Sequence, residues 1–126
     1  MKKTLTAILL LSAVLLGAVL NYFYMKNICT QIRADTEQCR DAALVGDWEA
    51  AAASVQSAMD EWERRRIYAS AVLHHADIAD AADALIMLQE AVALKSPESA
   101  ETAARKVCAC FDAIEQGETL ALGNVF

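Results

Sequence analysis

Residues 5–24 read LTAILLLSAVLLGAVLNYFY, and this stretch sets the architecture of the chain. It contains no charged residue, and a helix of this length, rising about 1.5 Å per residue, crosses a hydrocarbon core of about 30 Å. Lys2 and Lys3 precede it, and a Tyr-Phe-Tyr run at residues 22–24 closes it. Basic residues before a span and aromatic residues at its far interface are typical of a membrane anchor. We therefore predict a transmembrane anchor at residues 5–24, behind a cytoplasmic stub at residues 1–4.

The flanking charges predict a single-pass protein of the cytoplasmic membrane, with its N-terminus inside and residues 25–126 outside. Lys26 and Arg33, which follow the span, favour the opposite orientation. The alternative is a secretory signal peptide, which requires small residues just before its cleavage site. Asn21 and three aromatic residues occupy that place instead, so we favour an anchor that stays attached.

The composition of the remaining chain predicts an all-α fold. The 126 residues include one Pro and four Gly, and alanine is the most frequent residue. Alanine, leucine, glutamate and arginine lose little side-chain conformational freedom when they enter a helix. No stretch alternates β-branched or aromatic residues with polar ones, as a β-strand would. The roughly one hundred residues beyond the span are enough for one modest core.

Charge is distributed unevenly along the chain. The net charge is −6, from 17 acidic and 11 basic residues, and every acidic residue lies at or after Asp35. An acidic domain repels a phosphate backbone, so we do not expect nucleic acid as a partner. The same charge repels an anionic lipid surface, which predicts a domain held off the bilayer rather than lying flat on it.

Four amphipathic helices are predicted outside the membrane, at about residues 25–45, 48–74, 77–94 and 97–116. The first is expected to continue directly out of the membrane. Gly46 closes it because glycine readily adopts the left-handed conformation of a helix end. Asp47 follows at once, as the N-cap of the second helix.

The later helix boundaries are marked less uniformly. The apolar periodicity of the second helix shifts at residues 64–66, which predicts a bend or break between Arg66 and Asp77. Asp77 is expected to cap the third helix. Ser96 and Pro97 mark the start of the fourth, with serine as N-cap and proline at the first helical position. Gly117 is expected to end it.

Each predicted helix carries one apolar stripe whose members are three or four residues apart. The expected core residues are Ile28, Ile32, Cys39 and Ala43 in the first helix, Trp48, Ala52, Val55, Met59 and Trp62 in the second, Ala81, Leu85, Leu88 and Val92 in the third, and Ala100, Ala104, Val107, Phe111 and Ile114 in the fourth. Such helices with short connections predict a small antiparallel bundle or two stacked hairpins.

The C-terminal tail, residues 118–126, is unusually apolar for a chain end. Its large apolar residues are Leu120, Leu122, Val125 and Phe126. We predict that this tail packs into the bundle or docks on a partner, and that these four residues are the interaction residues.

Several short motifs follow one another along the chain. They are the N-terminal anchor, Gly46-Asp47-Trp48, Trp62, His75-x-Asp77-Ile78, Leu85-x-x-Leu88 and a final Asn124-Val125-Phe126. In this order the chain resembles a family of short bacterial proteins, domain of unknown function 4363, seen mainly in Gram-positive and often spore-forming bacteria. The resemblance covers nearly the whole chain and implies a single-pass membrane protein with a helical domain. The family has no established activity, so the resemblance implies no catalytic residue.

One cluster, formed by His74, His75, Asp77 and Asp80, combines residue types that bind metals. Two or three ligands in one segment are too few for a structural zinc site, so no metal or cofactor is expected. The favoured interpretation is a polar helix junction. The alternative is a metal or pH-sensing junction, because histidine changes charge near neutral pH.

The four cysteines do not form an obvious disulfide pattern. Cys29 and Cys39 lie ten residues apart on one predicted helix, about 15 Å by rise alone, which is too far for a bridge. Cys108 and Cys110 are two residues apart on one helix and point in different directions. We predict that most of the cysteines act as small apolar residues. One disulfide between the first and fourth helices remains the alternative.

Trp48 and Trp62 lie two heptads apart on a core stripe and are interpreted as core residues rather than a ligand cage. The three arginines at residues 64–66 follow Asp60, Glu61 and Glu63, so local ion pairs on a solvated helix face are expected.

Catalytic signatures are missing from the sequence, which shows no Ser-His-Asp spacing, glycine-rich phosphate loop, HExxH or CxxC. We therefore expect a protein that is not an enzyme. The first hypothesis is an interaction or structural module on the outer face of the cytoplasmic membrane, with another membrane or envelope protein as its partner. A homo-oligomer is compatible with the same pattern. The second hypothesis is an extracytoplasmic ligand, metal or pH sensor that uses residues 74–80.

Overall fold

The computed structural model describes the backbone of residues 1–125. It describes the side chains of the same residues except 118–122, 124 and 125. Four α-helices account for nearly all of the described chain. They are α1 (Lys2–Leu44), α2 (Trp48–Val72), α3 (His75–Ala93) and α4 (Pro97–Val125). The described residues contain no strand, so the predicted all-α class is confirmed.

α1 joins the apolar segment to the helical domain without a break. It is one helix of 43 residues, and it is the one described helix long and apolar enough to cross a membrane. Residues 2–14 are exposed, packing against the rest of the protein begins at Leu15, and the first fully buried residue is Met25. The apolar segment and the first wall of the bundle are therefore a single rigid rod.

The turns between the helices are short, and two of them follow the predicted chemistry. Gly46 has a φ of 77°, and the Asp47 carboxylate accepts a hydrogen bond from the Ala50 amide at 3.2 Å. At the start of α4, the Ser96 hydroxyl accepts a hydrogen bond from the Ser99 amide at 3.3 Å. These side chains satisfy amide groups that the first helical turn leaves without an intrahelical partner.

The start of α3 differs from the prediction. The helix begins at His75, so Asp77 is not its cap but lies within its first turn. His74 occupies the cap position and makes no side-chain cap hydrogen bond. Asp77 is still favourably placed, because a carboxylate in the first turn interacts well with the positive end of the helix dipole. The predicted break between Arg66 and Asp77 is confirmed at Leu73 and His74, whose backbones are extended.

The end of α4 also differs from the prediction. Gly117 does not terminate the helix, which continues to Val125. Gly117 keeps a helical backbone, unlike Gly46, and the residues around it are compatible with a helix. A glycine inside a helix costs only about 0.5–1 kcal/mol relative to alanine, too little to end a helix by itself.

The four helices form one antiparallel bundle in which every helix has two neighbours. α1 packs against α2 and α4, and α3 packs against the same two helices. The turns at residues 45–47 and 94–96 are both at the distal end of the bundle, away from the apolar segment. The turn at Leu73 and His74 lies at the opposite end, beside the apolar segment of α1. Because residues 5–24 are the predicted anchor, we call this the anchor end.

The core lies where the stripes of α1, α3 and α4 were predicted. All the expected core residues of those three helices are buried. On α2 the prediction was right for Val55 and Trp62 and wrong for Ala52, which is exposed, while Met59 is half-buried. The buried face of α2 passes instead through Ala51 and Ala58.

Candidate functional site

A polar junction ties α1 to α2 at the anchor end of the bundle. The Tyr68 hydroxyl is hydrogen-bonded to the Asn21 side-chain oxygen, and Arg65 donates a hydrogen bond to the Tyr24 hydroxyl at 2.7 Å. The rings of Tyr24 and Tyr68 meet edge to face, with their centroids 4.5 Å apart. The Arg65 guanidinium lies 5.2 Å from the centre of the Tyr24 ring, within cation–π range.

The carboxylate of Glu61 anchors the same junction from inside the bundle. Glu61 is only 6% exposed, and it accepts hydrogen bonds from Arg64 at 2.5 Å and from Arg65 at 3.1 Å. The hydrogen bonds that Arg65 donates to Glu61 and Tyr24 raise the pKa of its guanidinium. Glu63 pairs with Arg66 at 3.0 Å, so the predicted local ion pairs are confirmed for all three arginines.

A second ion pair cluster joins α1 to α4. Arg33 contacts Asp112 and Glu115, each at 2.5 Å. Burial alone would lower the pKa of Arg33, but the hydrogen bonds to the two carboxylates outweigh this effect and raise it. The cluster fixes the register of the two longest helices.

The distal end of the bundle carries exposed apolar side chains. Leu44, Val45 and Leu94 are 57%, 80% and 79% exposed, and they flank the two distal turns. Turns are usually polar, because their backbone groups face water. We call these three residues the distal apolar patch. The sequence analysis did not predict this patch. The signal that could have found it is the presence of large apolar residues directly beside predicted turns: Leu44 and Val45 beside Gly46, and Leu94 beside Lys95 and Ser96.

The structure does not gather the histidine cluster into a site. His74 and His75 are exposed on the turn into α3, Asp77 is half-buried, and Asp80 is exposed one turn further along. No group of three His, Cys, Asp or Glu side chains that could hold a metal occurs among the described residues. The sensor hypothesis therefore stays a prediction from the sequence.

No disulfide joins any of the four cysteines, all of which lie in the described part of the chain. Cys29 and Cys39 are buried in the core, and Cys108 and Cys110 are half-buried on α4. Burial raises the pKa of the Cys39 thiol to about 11, and burial also raises the pKa values of Cys108 and Cys110. Protonated, buried thiols behave as small apolar groups, as the sequence predicted.

The tryptophans are core residues rather than a ligand cage. Trp62 is 4% exposed, and its ring meets Phe111 edge to face with centroids 5.3 Å apart. Trp48 is half-buried against the edge of the core. The predicted interaction side chains Leu120, Leu122, Val125 and Phe126 lie outside the described residues, although the backbone of α4 is described to residue 125.

The architecture defines a class of protein: a small antiparallel four-helix bundle built on one long apolar helix. Within that class, this chain belongs to the family described as Domain of unknown function (DUF4363), whose profile matches residues 19–125. The match begins at residue 19, four residues after α1 starts to pack against the bundle, so the matched region corresponds to the bundle. The chain shows no significant match to a curated protein or to a solved structure.

Proposed function

We propose that this protein is a membrane-anchored structural module whose bundle stands on the outer face of the cytoplasmic membrane and docks another membrane or envelope protein. The observation that carries the proposal is the distal apolar patch. Leu44, Val45 and Leu94 are mostly exposed, and none of them belongs to the buried core. Apolar side chains grouped at one end of a small domain are typical of a protein contact.

The continuous helix α1 supports the same proposal. Because the apolar segment and the bundle share one helix, the height of the distal end above the membrane is set by helix length. From Tyr24 to Leu44 the helix rises about 30 Å, at about 1.5 Å per residue. A partner that docks on the distal end is thus held at a fixed distance from the bilayer.

A pull-down from native membranes after crosslinking tests this proposal. The full-length chain, tagged at its N-terminus, is compared with the double variant Val45→Gln/Leu94→Gln and with Ala53→Gln as control. Ala53 is exposed on the side of α2, away from both distal turns. We expect one membrane or envelope protein to be recovered with the natural chain and the control and lost with the double variant. Equal recovery by all three forms, or none, would contradict docking at the distal end.

A further inference from the structure

The contacts between α1 and α2 fix how far α2 descends beside the apolar segment. Arg65 is level with Tyr24, and Tyr68 is level with Asn21. The two helices are antiparallel, so Val72, four residues beyond Tyr68, lies about 6 Å further toward the N-terminus of α1. That level corresponds to Gly17. The partial burial of Leu15, Ala18 and Val19 agrees with this register.

The descending end of α2 has the composition of a membrane-embedded segment. Residues 67–73 read IYASAVL and contain no charge, whereas the preceding residues 60–66 include six charged residues. Arg66, the last charged residue of α2, lies level with about Phe23, and α1 is uncharged from there back to residue 4. The two helices therefore lose their charges at the same height.

Exposed apolar side chains occur on this segment where a soluble bundle would place polar ones. Ile67 is 84% exposed and Val72 is 40% exposed. The polar groups of the segment are satisfied within the protein: Tyr68 is bonded to Asn21, and the Ser70 hydroxyl donates to the Arg66 carbonyl at 2.8 Å. Internal pairing of polar side chains is what a lipid environment requires, because lipid offers them no partner.

Aromatic residues mark the height at which the charges end. All three tyrosines of the chain, Tyr22, Tyr24 and Tyr68, lie within about one helical turn of this level, together with Phe23. Tyrosine is enriched at membrane interfaces, where its ring meets the acyl chains and its hydroxyl meets the headgroups. The exposed arginines Arg64 and Arg66 lie at this level and just above it, where an interface at this height would place lipid phosphates.

The backbone of α4 ends near the same height. The contacts of Arg33 with Asp112 and Glu115 set its register against α1. About ten further residues of helix, roughly 15 Å, bring residue 125 approximately level with Phe23. The sequence of α4 beyond Glu118 is also uncharged. The last charged residue of α4, Glu118, lies about 10 Å above Phe23 in this register, so the boundary between charged and uncharged sequence at Phe23 belongs to α1 and α2.

We propose that the C-terminal end of α2, residues 67–73, is a second membrane contact that enters the headgroup–acyl boundary of the outer leaflet beside α1. This inference rests on the proposed membrane anchoring of α1. The occupant of the exposed face of Ile67 and Val72 is lipid rather than a protein partner, because that face continues the uncharged surface of the anchor at the same depth. The turn at Leu73 and the exposed imidazoles of His74 and His75 limit insertion to the interfacial layer.

Photo-crosslinking to lipid tests the inference on the full-length chain. A benzophenone amino acid replaces Ile67 in protein reconstituted into phosphatidylcholine vesicles, and lipid adducts are detected by mass. Ile8, in the exposed apolar part of α1, serves as the anchor control. Gln56 is the matched control: it lies on α2 about three helical turns before Ile67, and so on nearly the same face but about 16 Å higher. A probe at Val72 provides a second position within the segment.

We expect lipid adducts at Ile8, Ile67 and Val72 and none at Gln56. Adducts at Ile8 with none at Ile67 or Val72 would overturn the second membrane contact and leave the anchor intact. Adducts of Ile67 with protein in place of lipid would also overturn it. Absence of adducts at Ile8 as well would contradict the anchoring on which both proposals rest.

Discussion

Among the individual residues, one buried carboxylate organises the anchor end of the bundle. Glu61 is 6% exposed and accepts hydrogen bonds from Arg64 and Arg65, and Arg65 in turn donates to Tyr24. This network links α2 to α1 at the height where the charged part of the chain ends. Both arginines lie on the same helix as Glu61, so the carboxylate acts on the register of α1 and α2 through Arg65, which it holds in place to donate to Tyr24.

The network predicts unequal effects for neighbouring glutamates. Glu61→Ala should lower the free energy of unfolding by about 1–3 kcal/mol, because it leaves buried space and removes the acceptor that holds Arg65 against Tyr24. Glu63→Ala should cost less than about 0.5 kcal/mol, because its ion pair with Arg66 is exposed. Chemical unfolding of the full chain in detergent micelles, followed by circular dichroism, measures both. Equal losses in the free energy of unfolding for the two variants would show that the burial of Glu61 does not contribute to stability.

The buried thiol of Cys39 predicts a loss of stability at alkaline pH. Its pKa is about 11 in the folded protein, against an ordinary value of 9.0. Between these values the unfolded chain releases the thiol proton while the folded chain keeps it, so stability is full below about pH 9 and falls as pH rises toward about 11. Cys39→Ala should show a smaller fall between about pH 8 and 10.5 in the same unfolding assay. An identical fall in both proteins would contradict the assignment.

Among the helices, the periodic faces could be predicted from the sequence better than the helix ends. The stripes of α1, α3 and α4 contain branched and aromatic residues, which fix the phase of the buried face. The run of four alanines at residues 50–53 carries no such information. Val55 and Trp62 of α2 were predicted correctly, but Ala52 and Met59 were chosen in place of their buried neighbours Ala51 and Ala58. The contacts of Asn21 with Tyr68 and of Tyr24 with Arg65 were not predictable, because they depend on the register of two helices rather than on local sequence.

Two glycines give opposite predictions for one substitution. Gly117 lies inside α4, and a methyl group added there would meet no neighbouring atom, so Gly117→Ala should stabilise the protein by about 0.5–1 kcal/mol. Gly46 has a left-handed backbone, so Gly46→Ala should destabilise it by about 1 kcal/mol, although nothing would collide with the methyl group. Thermal unfolding of the two variants measures both effects. A destabilising Gly117→Ala would contradict a helix that continues through residue 117.

Across the whole molecule, the net charge of −6 is not evenly spread. Arg64, Arg65 and Arg66 lie at the anchor end, and the segment below them is uncharged. With the membrane contact that we propose, the acidic charge would hold only the upper part of the bundle off the bilayer, and not its base. In the arrangement we propose, a rod-like helix carries the bundle, with an uncharged base at the membrane and an apolar patch at the distal end.

This arrangement can be tested by the accessibility of the distal end in intact cells. Val45→Cys places a thiol on the exposed distal turn, and the natural chain, whose own cysteines are buried or half-buried, provides the background. A membrane-impermeant maleimide is added to cells before and after permeabilisation, and the labelled protein is recovered from washed membranes. We expect labelling of the variant above background in intact cells, with the protein retained in the membrane. Labelling only after permeabilisation, or release of the protein from the membrane, would contradict an anchored bundle on the outer face.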